Sequence, residues 1–462
     1  MKIHVTWAMN PRIEDISHQE DPGEMSEAGA LKKRTVESNI GTREKRTVKK
    51  VFWRLMPFLG LLYTIAFLDR VNIGYAALSM NNDLGFSSAV YGLGAGIFFI
   101  GYFLMEIPGN LIMARVGARL WIARILVTWG LISGLTALVS TPAQFYLVRF
   151  FLGVAEASFF PGIIYYLGTW CRARDQAKAV AFFMMSLPVC NVIGAPVSTY
   201  LLGVDWLGLA GWKWLFILEA IPAVSLGIIT PFYLTNRPAE AKWLENDERN
   251  WLMGVLEAES VKKIEKKKYT LLQAFRDADV IILSAIYFFW VCGFYGVGLF
   301  LPILVKSLST AMSNQAVGFL VSVPYIFAFL AMFLVGRSSD RTGERRWHTV
   351  FGMVTGAVGL GCSVLFAHAS IFVSMIFFTA SIMGIHASFG PFWAIPHSFL
   401  TSAAAAGAIA MINSIGNLGG FVGPYAMGFI HDATGSFNLG LLLLVACLLA
   451  SAGLVISLRK GG

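Results

Sequence analysis

Twelve long apolar segments, separated by polar stretches, follow the first fifty residues of this chain. A helix needs about 20 apolar residues to cross a bilayer. The pattern therefore predicts an all-α membrane protein with twelve transmembrane helices. The predicted segments are 52–78, 88–111, 120–139, 143–168, 178–202, 213–234, 280–305, 316–336, 348–367, 371–398, 404–430 and 437–458.

The polar stretches divide the chain into two halves. Residues 1–50 are polar and charged, which predicts a disordered cytoplasmic N-terminal extension. A polar central loop at 235–279 separates a six-helix bundle at 51–234 from a second one at 280–458. Residues 459–462 form a short tail.

Several features recur at similar offsets in the two halves, as Gly117 and Gly343 do in loops and Pro196 and Pro424 do in helices. Coincidence in glycine-rich helices is the alternative, but the pattern favours an internal duplication. Two six-helix pseudo-repeats with a site at their interface are a transporter architecture.

The composition shows 56% hydrophobic and 14% charged residues, whereas soluble chains carry about 25% charged residues. A net charge of +9 raises the question of a nucleic-acid partner. All but four of the 36 Lys and Arg residues lie on one side if the helices alternate in direction. The positive-inside rule then places both termini and the central loop in the cytoplasm, at the cell inner (plasma) membrane. The basic excess reflects topology, so we expect no nucleic-acid partner.

Two of the apolar segments each contain both an arginine and an acidic residue. Asp69 and Arg70 are adjacent in the first segment, where a charge costs about 2.5–3.5 kcal/mol and persists only if it faces a polar interior. Arg149 and Glu156 are almost two turns apart in the fourth segment, so they share one helix face. A fixed ion pair is the alternative, but these charges favour movement of a solute across the membrane.

The residue types indicate which role each charge would take. A guanidinium holds a carboxylate with two hydrogen bonds, which a lysine cannot do, so Arg70 and Arg149 are candidates to bind an organic anion. Arginine stays protonated, so protons must be carried by carboxyl groups. Burial and a nearby arginine act in opposite directions on a carboxyl, which makes Asp69 and Glu156 candidates for proton coupling.

The loop after the eighth segment, at 336–346, resembles the signature loop of the major facilitator superfamily, G-x-x-x-D-R-x-G-x-R. The equivalent loop of the first half has Ala114 where the family has an acidic residue. The resemblance implies conformational gating by Arg115, Asp340 and Arg341. Asp340 is expected to pair across helix ends or to cap a helix N-terminus.

Further motifs resemble one branch of this superfamily, the anion:cation symporters, which are proton-driven carriers of organic acids. Tartrate-type and hydroxyphenylacetate-type permeases show the greatest likeness. The resemblance implies proton coupling at Asp69 and Glu156, anion contact at Arg70, and tuning of the carboxyl groups by Arg149. The motifs that carry it are 67–74, 101–108, 149–157, 211–220 and 413–420.

Polar and aromatic side chains in other segments complete the predicted substrate site. The resemblance implies substrate contacts from Tyr102, Trp393 and Asn413. Asn413 and Asn417 are four residues apart and share a helix face, where they either bind substrate or join helices. Tyr295 is a further candidate, and packing is the alternative for both tyrosines.

The remaining polar residues have simpler explanations. Histidine is the residue type that ordinarily titrates near neutrality, but we interpret His386 and His397 as hydrogen-bonded histidines at the edge of a cavity. Glu106 and Glu219 are predicted to pair with groups at the cytoplasmic or outer rim. The five cysteines show no metal-ligand spacing and are predicted to be inert, so we expect no metal site.

Taken together, these patterns predict a proton-coupled symporter that imports a small organic acid anion by alternating access. The substrate would be a tartrate-like hydroxy or dicarboxylic acid or a sugar acid. Alternatives are a symporter for aromatic acids such as hydroxyphenylacetate or phthalate, and an exporter of drugs or metabolites. Nucleotide-binding and nucleophile motifs are absent from the sequence, so we expect no enzyme activity and no cofactor beyond the proton gradient. We expect the protein to work as a monomer in the lipid bilayer.

Overall fold

The computed structural model describes residues 27–264, 277–309, 311–366, 370–399 and 402–458. Over these residues the protein is almost entirely helical. The α-helices are α1 Glu27–Leu84, α2 Ser88–Val116, α3 Ala118–Leu135, α4 Pro142–Glu156, α5 Phe159–Gly168, α6 Ala173–Met184, α7 Ser186–Leu201, α8 Gly211–Tyr233, α9 Asn246–Ile264, α10 Ala278–Ser307, α11 Asn314–Thr342, α12 Arg346–Leu365, α13 Ile371–Ala387, α14 Phe389–Phe399, α15 Ser402–Asn417, α16 Gly419–Thr434 and α17 Asn438–Ser457.

Each predicted apolar segment corresponds to one of these helices or to two consecutive ones. Within the described residues, eleven crossings are long and apolar enough to span a membrane. The remaining predicted segment, 404–430, is formed by α15 and α16, which meet at Leu418 and are 16 residues long each. The predicted fold of twelve transmembrane helices is confirmed.

Because the number of crossings is even, α1 begins and α17 ends on the same side of the membrane. We call this side the terminal face and the opposite side the far face. Several far-face turns end in a hydroxyl side chain that caps the next helix. Ser87, Thr141, Ser313 and Ser370 each accept a hydrogen bond from the backbone N–H three residues later, at 3.2–3.3 Å. Such caps stabilise a helix start by about 1 kcal/mol, which explains why the helices begin at these residues.

The two halves touch closely near the far face through glycines. A methyl group placed on Gly92 of α2 would lie 2.4 Å from the carbonyl oxygen of Pro424 in α16. A methyl group on Gly318 of α11 would lie 2.7 Å from the carbonyl oxygen of Ala195 in α7. The first contact joins crossings 2 and 11, and the second joins crossings 8 and 5. These are equivalent positions in the two halves, as expected for two pseudo-repeats. Only glycine allows these backbones to approach so closely.

The predicted disorder of residues 1–50 is wrong from Glu27 onward, because α1 begins there. Residues 1–26, the tail 459–462 and part of the central loop, 265–276, lie outside the described residues. The rest of the central loop contains the short helix Pro238–Glu240 and the helix α9.

Ion pairs hold the beginning of α1 against the terminal face. Glu44 pairs with Arg172, at 2.7 Å, in the loop that follows α5. Arg46 and Lys50 both pair with Glu248 of α9, at 2.9 and 2.8 Å. The charges that suggested disorder therefore find partners more than a hundred residues away along the chain, which composition cannot reveal.

Replacing Glu248 with glutamine is expected to lower the midpoint of thermal unfolding at pH 7 by a few degrees. Burial would raise the pKa of the Glu248 carboxyl, but hydrogen bonds from Lys50 and Arg46 lower it from 4.5 to about 2. A pKa that is lowered on folding stabilises the fold above about pH 4.5, and this contribution is lost as the pH falls towards 2. Differential scanning fluorimetry across this range should show the gap between wild type and Glu248→Gln becoming smaller. Glu245→Gln, whose side chain is 60% exposed, is the control with a smaller expected effect.

Candidate functional site

A cavity with an empty volume of about 470 Å³, part of it open to solvent, lies between the two halves. Of the residues predicted to contact substrate, it collects Arg70, Tyr102, Tyr295, Trp393 and the asparagine pair. The full lining is Tyr63, Phe67, Arg70, Tyr102, Phe160, Met184, Leu187, Tyr287, Val291, Phe294, Tyr295, Phe389, Trp393, Asn413 and Asn417. The cavity is therefore an aromatic chamber with a few polar groups, which is typical of small-molecule sites.

Arg70 of α1 is the one charged residue in the described lining of this cavity. Its guanidinium forms an ion pair with Glu156 of α4 and donates a 2.9 Å hydrogen bond to the hydroxyl of Tyr295 in α10. The rings of Phe98 and Tyr102 lie 5.2 and 5.3 Å from the guanidinium carbon. Since Glu156 belongs to the first half and Tyr295 to the second, Arg70 connects the two halves at the cavity.

A second polar contact between the halves is centred on Glu106 of α2. Its buried carboxyl accepts hydrogen bonds from the amide of Asn413 and, at 2.9 Å, from the hydroxyl of Ser414. The prediction that Glu106 and Glu219 pair with rim groups is wrong. Both are buried, and Glu219 accepts a 2.7 Å hydrogen bond from Ser198 inside the first half. The sequence feature that could have identified Glu106 and Glu219 is a charged residue within an apolar segment, which is also the feature that identified Arg70.

Asp69 points away from the cavity although it is adjacent to Arg70 in sequence. It is 1% exposed and accepts hydrogen bonds from the Trp129 indole at 2.6 Å and the Ser133 hydroxyl at 3.2 Å. Neighbouring helix residues point about 100° apart, so the two charges meet different helices. Arg70 therefore pairs with Glu156 of α4, whereas Asp69 contacts Trp129 and Ser133 of α3.

Arg149 also lies outside the described cavity lining. It is 1% exposed, its Nε donates to the carbonyl of Gly94 at 3.4 Å, and its guanidinium carbon lies 5.1 Å from the ring of Phe98. The prediction that Arg149 contacts substrate directly is not supported by this position. Helical periodicity predicted that Arg149 and Glu156 share one face of α4. It could not show that α2 packs over Arg149 on that face and separates it from the cavity.

Within the described residues, four crossings are interrupted, and three of the breaks border the cavity. These three lie at Met185, Ser388 and Leu418, next to the lining residues Met184, Phe389 and Asn417. The backbone at all three residues keeps right-handed helical angles, so each break is a local irregularity within its crossing and not an unwound segment.

The fourth break follows Glu156 directly. Ser158 there adopts φ 73°, a left-handed conformation that costs a non-glycine residue about 1–2 kcal/mol. Its hydroxyl donates to the carbonyl of Glu106 at 3.1 Å. Strain of this kind is typical of functional sites, and here it ends α4 at the residue that pairs with Arg70.

The histidines have different positions. His386 is buried, its Nδ1 lies 2.8 Å from the carbonyl of Ile382, and its ring packs 5.0 Å from that of Phe294 in the cavity wall. This agrees with a hydrogen-bonded histidine beside the cavity. The side chain of His397 lies outside the described residues.

The predicted gating residues lie towards the terminal face. Asp340, in the last turn of α11, pairs with Arg345 at 2.6 Å immediately before α12, so it does pair across helix ends. The alternative that Asp340 caps a helix is wrong, because Glu344 accepts hydrogen bonds from the first backbone N–H groups of α12. Arg115 and Arg341 are exposed at the ends of α2 and α11.

Sequence reasoning missed most of the aromatic wall. Tyr63, Phe67, Tyr287, Phe294 and Phe389 line the cavity. Aromatic residues are frequent in apolar segments, and this chain contains 36 phenylalanines. Their type therefore carried no signal that separates cavity wall from helix packing.

Comparisons with known proteins agree with this architecture. Residues 59–424, and in a second match 283–460, fit the family described as Major Facilitator Superfamily. An Agrobacterium vitis protein named "Putative tartrate transporter" is 50% identical over 90% of this chain and 95% of its own length. A Pseudomonas putida protein named "Putative metabolite transport protein NicT" is 41% identical over 92% of this chain and 97% of its own. The inward-open xylose transporter XylE of E. coli is similar in fold, with a TM-score of 0.72 and 14% identity over 89% of this chain and 97% of that one.

Proposed function

The chain belongs to the major facilitator superfamily, and on this premise we propose that it is a proton-coupled symporter that imports a small organic acid anion. It is a multi-pass membrane transporter and not an enzyme. We place it in the cell inner membrane with the terminal face in the cytoplasm. The observation that carries the proposal is the lone arginine, Arg70, in an aromatic cavity between the two halves.

The charge around Arg70 favours an anionic substrate. A buried guanidinium needs a negative partner, and Glu156 supplies it in this structure. A substrate carboxylate can replace Glu156 without leaving net charge in the cavity only if Glu156 takes up a proton. Electroneutrality of this site therefore links one proton to one anion, and Glu156 is the proposed coupling residue beside Arg70.

Other groups in the cavity suit the rest of a small acid. The hydroxyls of Tyr102 and Tyr295 and the amides of Asn413 and Asn417 offer hydrogen bonds to hydroxyl or carboxyl oxygens. A hydroxydicarboxylate that binds as its monoanion fits this set and keeps the site neutral, with its ionised carboxylate on Arg70 and its remaining oxygens on the neutral groups. The relative from Agrobacterium vitis that is named for tartrate supports the same substrate class.

Alternating access is the proposed mode of movement. In this structure the far face is closed, because the backbone N–H groups of Ser88 and Ala89 donate to Asp432 of the other half at 3.0 and 2.9 Å. Opening the far face requires these contacts to break while the halves rotate about the cavity. Release of the acid and of the Glu156 proton to the cytoplasm then restores the ion pair between Glu156 and Arg70.

An imposed pH gradient is expected to drive accumulation of labelled tartrate in proteoliposomes, with the acidic side as the source. Glu156→Gln should still exchange substrate across the membrane. Its gradient-driven accumulation should be lower by about tenfold or more, because the glutamine side chain cannot take up the coupled proton. Glu240→Gln, at an exposed position of the central loop, is the matched control. A neutral sugar should not accumulate.

Gradient-driven uptake that is unchanged in Glu156→Gln, or uptake by wild type that is indifferent to the gradient, contradicts the proposal.

An aromatic carboxylate is the second candidate substrate, since the rings of Tyr63, Phe67 and Tyr287 line the cavity. Competition between labelled tartrate and an aromatic acid decides between these two substrate classes.

A further inference from the structure

Glu106 lies just outside the cavity, on the side towards the terminal face. It follows Tyr102, which lines the cavity, by about one turn of α2, and α2 runs from the far face to the terminal face. The residue is 3% exposed and does not belong to the described cavity lining. Glu106 can therefore act on a bound substrate only through a neighbouring side chain.

Asn413 of α15 is that neighbour. It lines the cavity, and the nitrogen of its side-chain amide donates to Glu106 Oε1. The other oxygen of Glu106 accepts a hydrogen bond from the Ser414 hydroxyl at 2.9 Å. Because a carboxylate offers only acceptors, Glu106 holds the nitrogen end of the Asn413 amide towards α2.

The other end of this amide, the Asn413 oxygen, is left for the cavity. Among the described residues this oxygen accepts no hydrogen bond, and it does not belong to the fully buried polar atoms that lack a partner. An atom of a lining residue that is neither paired nor sealed from solvent is accessible to a bound molecule. Since an amide oxygen only accepts hydrogen bonds, it favours a substrate that brings a donor.

Asn417, one turn further along α15, provides a contrast. It also lines the cavity, but its side-chain amide forms no hydrogen bond with the described residues. Either end of that amide can therefore turn towards a ligand. Of these two asparagines, only Asn413 has an orientation that is set from outside the cavity.

We propose that Glu106 is a positioning residue that makes the transporter prefer acids with a hydroxyl group, because it holds the Asn413 oxygen towards the cavity. The proposal rests on the proposed function, since it concerns which organic acids the same cavity selects. A hydroxyl on the acid donates to the Asn413 oxygen, whereas a keto oxygen on the same carbon only accepts. A keto acid thus leaves the Asn413 oxygen desolvated without a donor, which is costly.

A contact between the two halves is the simpler role for this hydrogen bond, because it joins α2 to α15. Such a contact bears on the conformation of the protein and would change the affinity for every acid alike. The affinity for a hydroxy acid relative to that for the keto acid of the same skeleton separates the two roles.

Competition binding to the purified full-length protein measures this relative affinity. Unlabelled 2-hydroxyglutarate and 2-oxoglutarate, which share one carbon skeleton, displace labelled tartrate. In wild type the hydroxy acid is expected to act at about tenfold lower concentration, which is the effect of one hydrogen bond. In Glu106→Leu, which leaves the Asn413 amide free to turn, the ratio of the two concentrations should fall to about one. In Glu106→Gln, whose amide suits either orientation of Asn413, the ratio should lie between these values.

Ser414→Ala is the matched control. It removes the other donor to Glu106 and leaves the hydrogen bond from Asn413 in place, so it should keep the wild-type ratio even if both affinities fall. A wild-type ratio near one overturns the proposal. So does an unchanged ratio in both Glu106 variants, provided that circular dichroism shows them to be folded.

The proteoliposome experiment gives a separate answer. Gradient-driven accumulation of tartrate together with a wild-type ratio near one contradicts the role of Glu106 and leaves the symport proposal in place. A ratio that behaves as stated, without gradient-driven accumulation, contradicts proton coupling and leaves the role of Glu106 in place.

Discussion

Replacing Arg70 with lysine is expected to weaken binding of the transported acid by about 10- to 150-fold while the protein still folds. Arg70 is the one charged residue in the described cavity lining. One of its guanidinium nitrogens pairs with Glu156, and another donates a hydrogen bond to Tyr295. A lysine ammonium lacks the planar fork that grips both oxygens of a carboxylate. The loss of one charge-assisted hydrogen bond, about 1.5–3 kcal/mol, corresponds to this change in affinity.

Equilibrium binding of labelled acid to the purified protein measures this effect. Arg337→Lys, an exposed arginine near the end of α11, is the matched control and should bind as wild type does. Arg149→Lys should change the affinity less than Arg70→Lys, because Arg149 lies outside the described cavity lining. Equal losses at both positions would contradict an anion site centred on Arg70.

Replacing Gly92 with leucine is expected to hold the transporter open at the far face and to reduce transport strongly. A methyl group added at Gly92 would lie 2.4 Å from the carbonyl oxygen of Pro424. This oxygen belongs to the backbone of α16, which cannot move aside as a flexible side chain would. Overpacking of this kind costs about 1–3 kcal/mol, which shifts the balance between closed and open far face by about 5- to 150-fold. Binding of the acid should persist, because the cavity itself is unchanged.

Distances between spin labels at Asn82→Cys and Asn438→Cys, at the far-face ends of the two halves, report this opening once the five native cysteines are replaced. Gly361→Leu is the control, since a methyl group there meets nothing within 4 Å. A distance distribution for Gly92→Leu that matches wild type would show that the Gly92 contact does not close the far face. Loss of acid binding in that variant would instead indicate damage to the cavity.

The twelve crossings could be predicted from the sequence because the property that defines them is local. Each crossing needs only its own run of apolar residues, whatever its neighbours are. The interruptions within crossings could not be predicted, since Met185 and Leu418 differ little in type from the residues around them. The extension before the first crossing was misjudged for a related reason. Its charges are stabilised by partners such as Glu248, about two hundred residues away.

For the candidate site, the sequence indicated which residues are costly to bury but not what they contact. Arg70 and Glu156 were candidates because charges inside apolar segments are rare, and the structure brings them together across 86 residues of chain. The same criterion applied equally to Glu106, which was assigned to the rim. Its partners, Asn413 and Ser414, lie more than three hundred residues away.

By itself, the sequence determined that this protein crosses a membrane twelve times, which residues carry charge within the membrane, and which family it resembles. The tertiary structure alone decided that Arg70 faces a cavity while Asp69, its neighbour in sequence, faces Trp129 in the interior of the first half. Helical periodicity specifies the angle between two side chains on one helix. It does not specify which helix packs against each face, and that packing determines whether a buried charge meets a substrate, an arginine or another carboxyl group.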